Sequence, residues 1–218
     1  MKKLDIIYED KELLVVNKPS KLLTISDGKS EYTLYSMARE YVKKQHKSNK
    51  IFIVHRLDKD TSGIVVFAKT ENLKKYLQYN WNEITNREYI AILEGKLNSK
   101  KGIIKEYLLE DKTHRVYAAN NNRGEYAETH YEVINATSNN TIVKINIKTG
   151  KKNQIRVGFS NLKHSIIGDK KYGSNTNPIN RLGLHAFKLD VNIKNKIYNF
   201  EAKIPKEFLR YYNMKDGM

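Results

Sequence analysis

The segment His55-Arg-Leu-Asp-Lys-Asp-Thr-Ser-Gly63 sets an imidazole, a guanidinium, two carboxylates and two hydroxyls between two apolar runs, residues 51–54 and 64–68. These are the residue types from which acid–base and nucleophilic chemistry is built. Packed so densely, they must be exposed or paired with one another. The plainer reading is a solvated loop with a local turn at Asp60 or Thr61 and a positive φ supplied by Gly63. A second segment, Thr149-Gly-Lys-Lys-Asn-Gln-Ile-Arg-Val157, carries three cations within six residues, a pattern suited to a phosphate backbone. Arg156 lies between apolar Ile155 and Val157, so it should be partly buried and need an acidic partner. The plainer reading here is a surface strand with a basic face.

Other chemistries are poorly served. The sequence Gly168-Asp-Lys-Lys-Tyr-Gly-Ser174 lacks the Lys that must precede the Ser or Thr of a nucleotide-triphosphate loop. The six His are scattered without a His-Glu-x-x-His pattern, and no metal site is expected. Ser62 lacks a nucleophile elbow. The chain has no Cys, which excludes disulfides and thiolate sites and fits a reducing cytoplasm. Its apolar runs are short, and the opening Met-Lys-Lys is soon followed by Asp5, Glu9 and Asp10, so neither a signal peptide nor a membrane span is expected. Most of the 15 Tyr should be core or surface-covering residues.

The net charge of +16 over 218 residues points to nucleic acid, an anionic membrane or an acidic protein as partner. Its distribution is uneven: residues 151–218 hold 14 Lys and Arg against 5 Asp and Glu.

The elements that must position these groups can be read from periodicity. Residues 5–18 form two short strands around a polar turn at 9–12, the second closed by Pro19. Leu34, Met37, Ala38, Tyr41 and Val42 mark a helix over 33–44, followed by a polar loop over 43–50. A second helix is expected over about 72–81 and a strand over 87–93. The alternation in 131–134 and 141–147 predicts a hairpin. Residues 174–180 read as a loop, and a short helix over 205–211 begins at Pro205. Strands and helices do not alternate regularly, so an α+β fold is expected.

The loop motif with its continuation Ile-Val-Val-Phe-Ala-Lys resembles the catalytic motif of the RluA family of pseudouridine synthases. Residues 6–19 resemble that family's first motif, Arg87-Glu-Tyr-Ile-Ala-Ile-Leu-Glu-Gly95 its tyrosine motif, and residues 149–173 its third. Arg181-Leu-Gly-Leu-His-Ala186 resembles a motif near the C-terminus. The order is the family's and nearly the whole chain is spanned. The resemblance implies a pseudouridine synthase catalytic fold, a mixed, mainly antiparallel sheet flanked by helices and loops, and an isomerase that converts uridine in RNA to pseudouridine without cofactor or metal. By the same resemblance Asp58 is the nucleophile, attacking at the base or at the sugar C1′, and Arg156 is its basic partner. Tyr89 packs against the target base and handles a proton, and Arg56 fills the gap left by the flipped nucleotide. His55, Arg56, Lys151, Lys152, Asn153 and Gln154 are the expected RNA contacts.

The chain departs from the family pattern at Lys21, where Gly is usual, at Lys151 and Asn153, where Arg and His are more frequent, and at Gly158, often His. A single catalytic domain over 1–218 without an S4 RNA-binding domain is expected, working as a cytoplasmic monomer on a ribosomal RNA or tRNA stem-loop. A noncatalytic RNA-binding or ribosome-assembly protein of the same fold is the alternative.

Overall fold

The structure, a computed structural model, describes residues 3–215. In chain order the elements begin β1 (Ile6–Glu9), β2 (Leu13–Lys18), α1 (Leu34–Gln45), β3 (Phe52–Ile53), β4 (Ser62–Ala68), α2 (Glu71–Ile84) and β5 (Thr85–Glu94). They continue with β6 (Lys101–Glu110), β7 (Val116–Ala118), β8 (Glu125–Ala136), β9 (Asn140–Ile147) and α3 (Gln154–Asn161). A 3-10 turn (Lys170–Tyr172), β10 (Leu184–Ile193), β11 (Lys196–Glu201) and α4 (Lys206–Tyr212) complete the chain. The fold class is α+β, as the sequence predicts. Contacts divide the chain into two compact units, Met1–Thr85 with Ala186–Lys203, and Asn86–His185 with Ile204–Met218.

In the first unit the strand order is β1-β2-β4-β10, with β3 on β4 and β11 on β10. The β2–β4 ladder is antiparallel, and every residue of β4 is buried. Side chains alternate across the sheet. Leu13, Val15, Ile64 and Val66 join Leu73 and Leu77 of α2 in one core cluster. On the alternate positions Phe67 lies 6.5 Å from the ring of Tyr35 in α1. The apolar runs are continuous rather than alternating because both faces are covered.

Helix α1 starts where expected: Thr33 accepts from Ser36 N–H, and Ser36 answers at the Thr33 N–H, a reciprocal cap. It extends to Gln45, into the stretch read as loop. Helix α2 starts at Thr70, which caps Leu73, and runs three residues past the expected end. Polar Asn82 and Glu83 hide that continuation in the sequence, yet Ile84 and Trp81 still pack on the core.

The second unit is an antiparallel sheet in the order β5-β9-β8-β6-β7. The expected hairpin is β8–β9, with β8 starting earlier, at Glu125. Segment 154–161, for which a strand was the plainer reading, is helix α3. Residues 154–159 are all buried, and a helix covered on all sides carries no amphipathic period to betray it. Pro205 is the N-cap of α4 rather than its first helical residue. Among the described residues no helix is long and apolar enough to cross a membrane.

Candidate functional site

The loop between β3 and β4 belongs to the first unit and holds His55, Arg56 and Asp58. Its backbone is tied down on both sides of Asp58 by the end of β2 and the segment that follows it. Thr24 Oγ1 accepts the Leu57 N–H at 3.2 Å and donates to the Leu57 carbonyl at 2.8 Å. Lys18 is fully buried, and its ammonium donates to the carbonyls of Pro19, Leu22 and Lys59 at 3.0, 2.7 and 3.0 Å. Ser20 Oγ donates to the Asp60 carbonyl at 2.6 Å. Leu57 is buried as an apolar anchor, Asp58 is half-buried, and Arg56 is exposed.

Gly63, second residue of β4, has φ 116°, and a Cβ there would lie 2.1 Å from the Ala186 carbonyl oxygen. The expected positive φ is therefore present, and a side chain has no room. His55 is used internally. Its Nε2 accepts the Val66 N–H at 3.1 Å and its ring stacks on Trp81 at 4.5 Å, so that nitrogen is the unprotonated one. Because Thr24 carries both polar bonds to Leu57, Thr24→Val should cost about 1–3 kcal/mol in urea unfolding. Turnover should fall with it as the loop loosens.

The second unit holds Tyr89 and residues 149–173. Arg156 of α3 forms a two-pronged pair with Asp169: Nε to Oδ2 at 2.7 Å and Nη2 to Oδ1 at 2.8 Å. Asp169 is 2% exposed and Arg156 9%, so this pair is desolvated. The guanidinium carbon lies 4.9 Å over the Tyr172 ring. The Tyr172 hydroxyl donates to Asn153 Oδ1 at 3.0 Å and accepts the Val116 N–H at 3.2 Å. The acidic partner that the flanking apolar residues of Arg156 demanded is thus Asp169, supplied by the Gly-Asp-Lys-Lys-Tyr-Gly run.

The expected RNA contacts of this segment are placed unequally. Lys151 pairs with Glu125 at 2.7 Å and Lys152 with Glu110 at 2.6 Å, both at the surface. Gln154 faces inward. Its Oε1 accepts from the Thr149 hydroxyl and Lys151 N–H, and its Nε2 donates to the Glu128 carbonyl and the Thr129 hydroxyl. With two acceptances and two donations the amide is saturated, so Gln154 holds the segment's shape and has nothing left for a base. Asn153, also buried, stands at the N-cap position of α3 with φ 53°, a left-handed conformation that Asn tolerates better than most residues.

Tyr89 sits on β5 opposite Ile145 and packs on a cluster that includes Ile155 and Phe159 of α3. Two residues earlier on the same strand face, Arg87 is buried and donates Nη2 to the Lys148 carbonyl at 3.2 Å. Burial holds its pKa below the ordinary guanidinium value.

Comparison with known proteins decides what this geometry belongs to. The RNA pseudouridylate synthase family matches residues 12–161. The chain belongs to that family. Pseudouridylate synthases are isomerases, and this chain is 35% identical over 211 residues to an uncharacterized RNA pseudouridine synthase of Bacillus subtilis (strain 168), covering 94% of this chain and 70% of the relative. It is 33% identical over 215 residues to ribosomal large subunit pseudouridine synthase D of Borreliella burgdorferi, covering 94% and 66%. Against the synthase D of Yersinia pestis the identity is 36% over 180 residues, and the chain spans about half of that relative, 54%. The fold matches that of human RNA pseudouridylate synthase domain containing 4, with a TM-score of 0.80, 23% identity, and coverage of 95% of this chain and 91% of the other.

Two departures from the pseudouridylate synthase pattern have local physical meaning. Lys21 has φ 65°, the conformation that Gly adopts without penalty. Lys21→Gly should therefore raise stability, by up to about 1 kcal/mol after the unfolded-state entropy of Gly is subtracted, readable as a shift in urea midpoint. At Gly158 a Cβ would come 3.2 Å from Ile104 Cγ2, so α3 lies close on β6 here. The bracing residues Lys18, Ser20, Thr24 and Asp169 were not singled out from the sequence as functional. A lysine followed by Pro19 carries no mark of burial, and only the fold reveals which carbonyls it serves.

Proposed function

We propose that this chain converts uridine to pseudouridine in ribosomal RNA, with Asp58 as nucleophile. The observation that carries the reading is the loop of Asp58, pinned at Leu57, Lys59 and Asp60 by Thr24, Lys18 and Ser20. A nucleophile gains most from fixed geometry, because the entropy of alignment is then settled before substrate arrives. The names of the ribosomal large subunit relatives support ribosomal RNA as the substrate class. Work on that RNA puts the enzyme in the cytoplasm, where one chain suffices.

In the proposed reaction the N1–C1′ bond breaks, the base rotates, and a C5–C1′ bond forms. The proton lost from C5 is matched by one gained at N1, so atoms and electrons balance with no oxidant or reductant. Asp58 holds the reacting fragment covalently, at the base or at C1′, and is released at the end. By the family resemblance, Arg156 is the basic partner of the nucleophile. A guanidinium has five N–H donors, so the two-pronged hold of Asp169 fixes its plane without exhausting it. Tyr89 packs on the base and handles the C5 proton, and exposed Arg56 fills the space of the extruded nucleotide.

The decisive experiment is pseudouridine mapping across ribosomal RNA and tRNA in cells with and without the gene. A site lost on deletion and restored by wild type but not by Asp58→Asn establishes the reaction and names the uridine. An unchanged map overturns it.

A further inference from the structure

The tip of the β6–β7 hairpin, residues 111–115, was assigned nothing by motif, yet in the second unit it lies against the third-motif segment. Tyr172 is the pivot: Arg156 lies 4.9 Å from its ring centroid, Arg115 5.5 Å and Lys171 5.7 Å. Lys171 Nζ donates to the His114 carbonyl at 2.9 Å, and the Val116 N–H reaches the Tyr172 hydroxyl. The tip is held in one shape.

Both nearby carboxylates are already engaged. Asp111 Oδ1 turns back on its own loop, accepting the N–H groups of Thr113 and Arg115 and the Thr113 hydroxyl at 2.7, 3.0 and 2.6 Å. Glu110 Oε1 is shared between Lys152 Nζ at 2.6 Å and His114 Nδ1 at 2.7 Å. Against these two acids stand Lys112, Arg115, Lys152, Lys170 and Lys171, all exposed. Lys112 and Lys170 make no ion pair among the described residues.

We propose that loop 111–115, with Lys170 and Lys171, is a phosphate-binding surface that grips the backbone of the RNA substrate apart from the reacting uridine. The proposal rests on the RNA-modifying function above and adds loop 111–115, which no residue motif indicated. A membrane partner is disfavoured because the tip offers no apolar side chain to insert. Fixed by Asp111 and Lys171, the cations meet phosphate with little ordering left to lose, which favours affinity.

The test uses the full chain and a fluorescein-labelled RNA hairpin with a uridine-containing loop, with Kd measured across salt concentrations. The variant Lys112→Gln/Arg115→Gln/Lys170→Gln is compared with Lys43→Gln/Lys44→Gln/Lys47→Gln, which removes as much charge from the first unit. The loop variant should bind at least about tenfold more weakly, with a log–log salt slope shallower by about two to three. The control should stay within about twofold of wild type. Equal weakening in both variants or an unchanged Kd in the loop variant overturns the proposal. The binding readout needs no turnover, so failure of the surface in this test and failure of the proposed reaction in the pseudouridine map are told apart.

Discussion

Asp58→Asn is expected to abolish pseudouridine formation, lowering the single-turnover rate by at least about 10³-fold while RNA affinity stays within about threefold of wild type. The size follows from the proposed role: removing a covalent nucleophile removes a step, and what remains is catalysis by binding and orientation alone. The substitution conserves shape. The braces of the loop run to main-chain atoms of Leu57, Lys59 and Asp60, which it leaves in place. Folding should therefore survive, and thermal unfolding run beside the kinetics checks it. A variant that is folded, binds RNA and still isomerises would eliminate the proposed mechanism. A folded variant that neither binds nor reacts would shift Asp58 from chemistry to RNA recognition.

The second large effect is expected at Asp169. Asp169→Ala leaves the Arg156 guanidinium buried without its two-pronged partner, and breaking such a pair costs about 3–5 kcal/mol. For a chain of this size the melting temperature should fall on the order of 10 °C. The double variant Arg156→Met/Asp169→Leu removes both charges and should recover most of that loss, because apolar side chains of similar volume often replace a buried pair without net cost. Activity should not recover with it. Restored stability without turnover separates the structural role of the pair from the catalytic role proposed for Arg156. Turnover close to wild type in the double variant would remove Arg156 from the mechanism.

A good part of the fold was legible in residue order. Helix α1 announced itself through its apolar stripe, and the β8–β9 hairpin through alternation on either side of a polar turn. Both signals are local, and local signals survive in one dimension. Strands β6 and β7 were missed because few of their side chains are buried, so alternation is weak. Helix α3 was obscured for the opposite reason, its first six residues all being buried.

At the candidate site the division follows the same physics. Residue types and their order alone singled out the His55–Gly63 loop, the Arg156 segment and Arg156's need for an acid, because a cation between apolar neighbours is costly wherever the chain goes. Only the tertiary structure decided that Asp169 is that acid and that Lys18 serves the Lys59 carbonyl. It also decided that Gln154 spends its whole amide inside the protein, and that the cations of loop 111–115 stand beside those of 170–171. Each of these depends on residues brought together from separate segments, and such contacts leave no mark on the spacing of either partner.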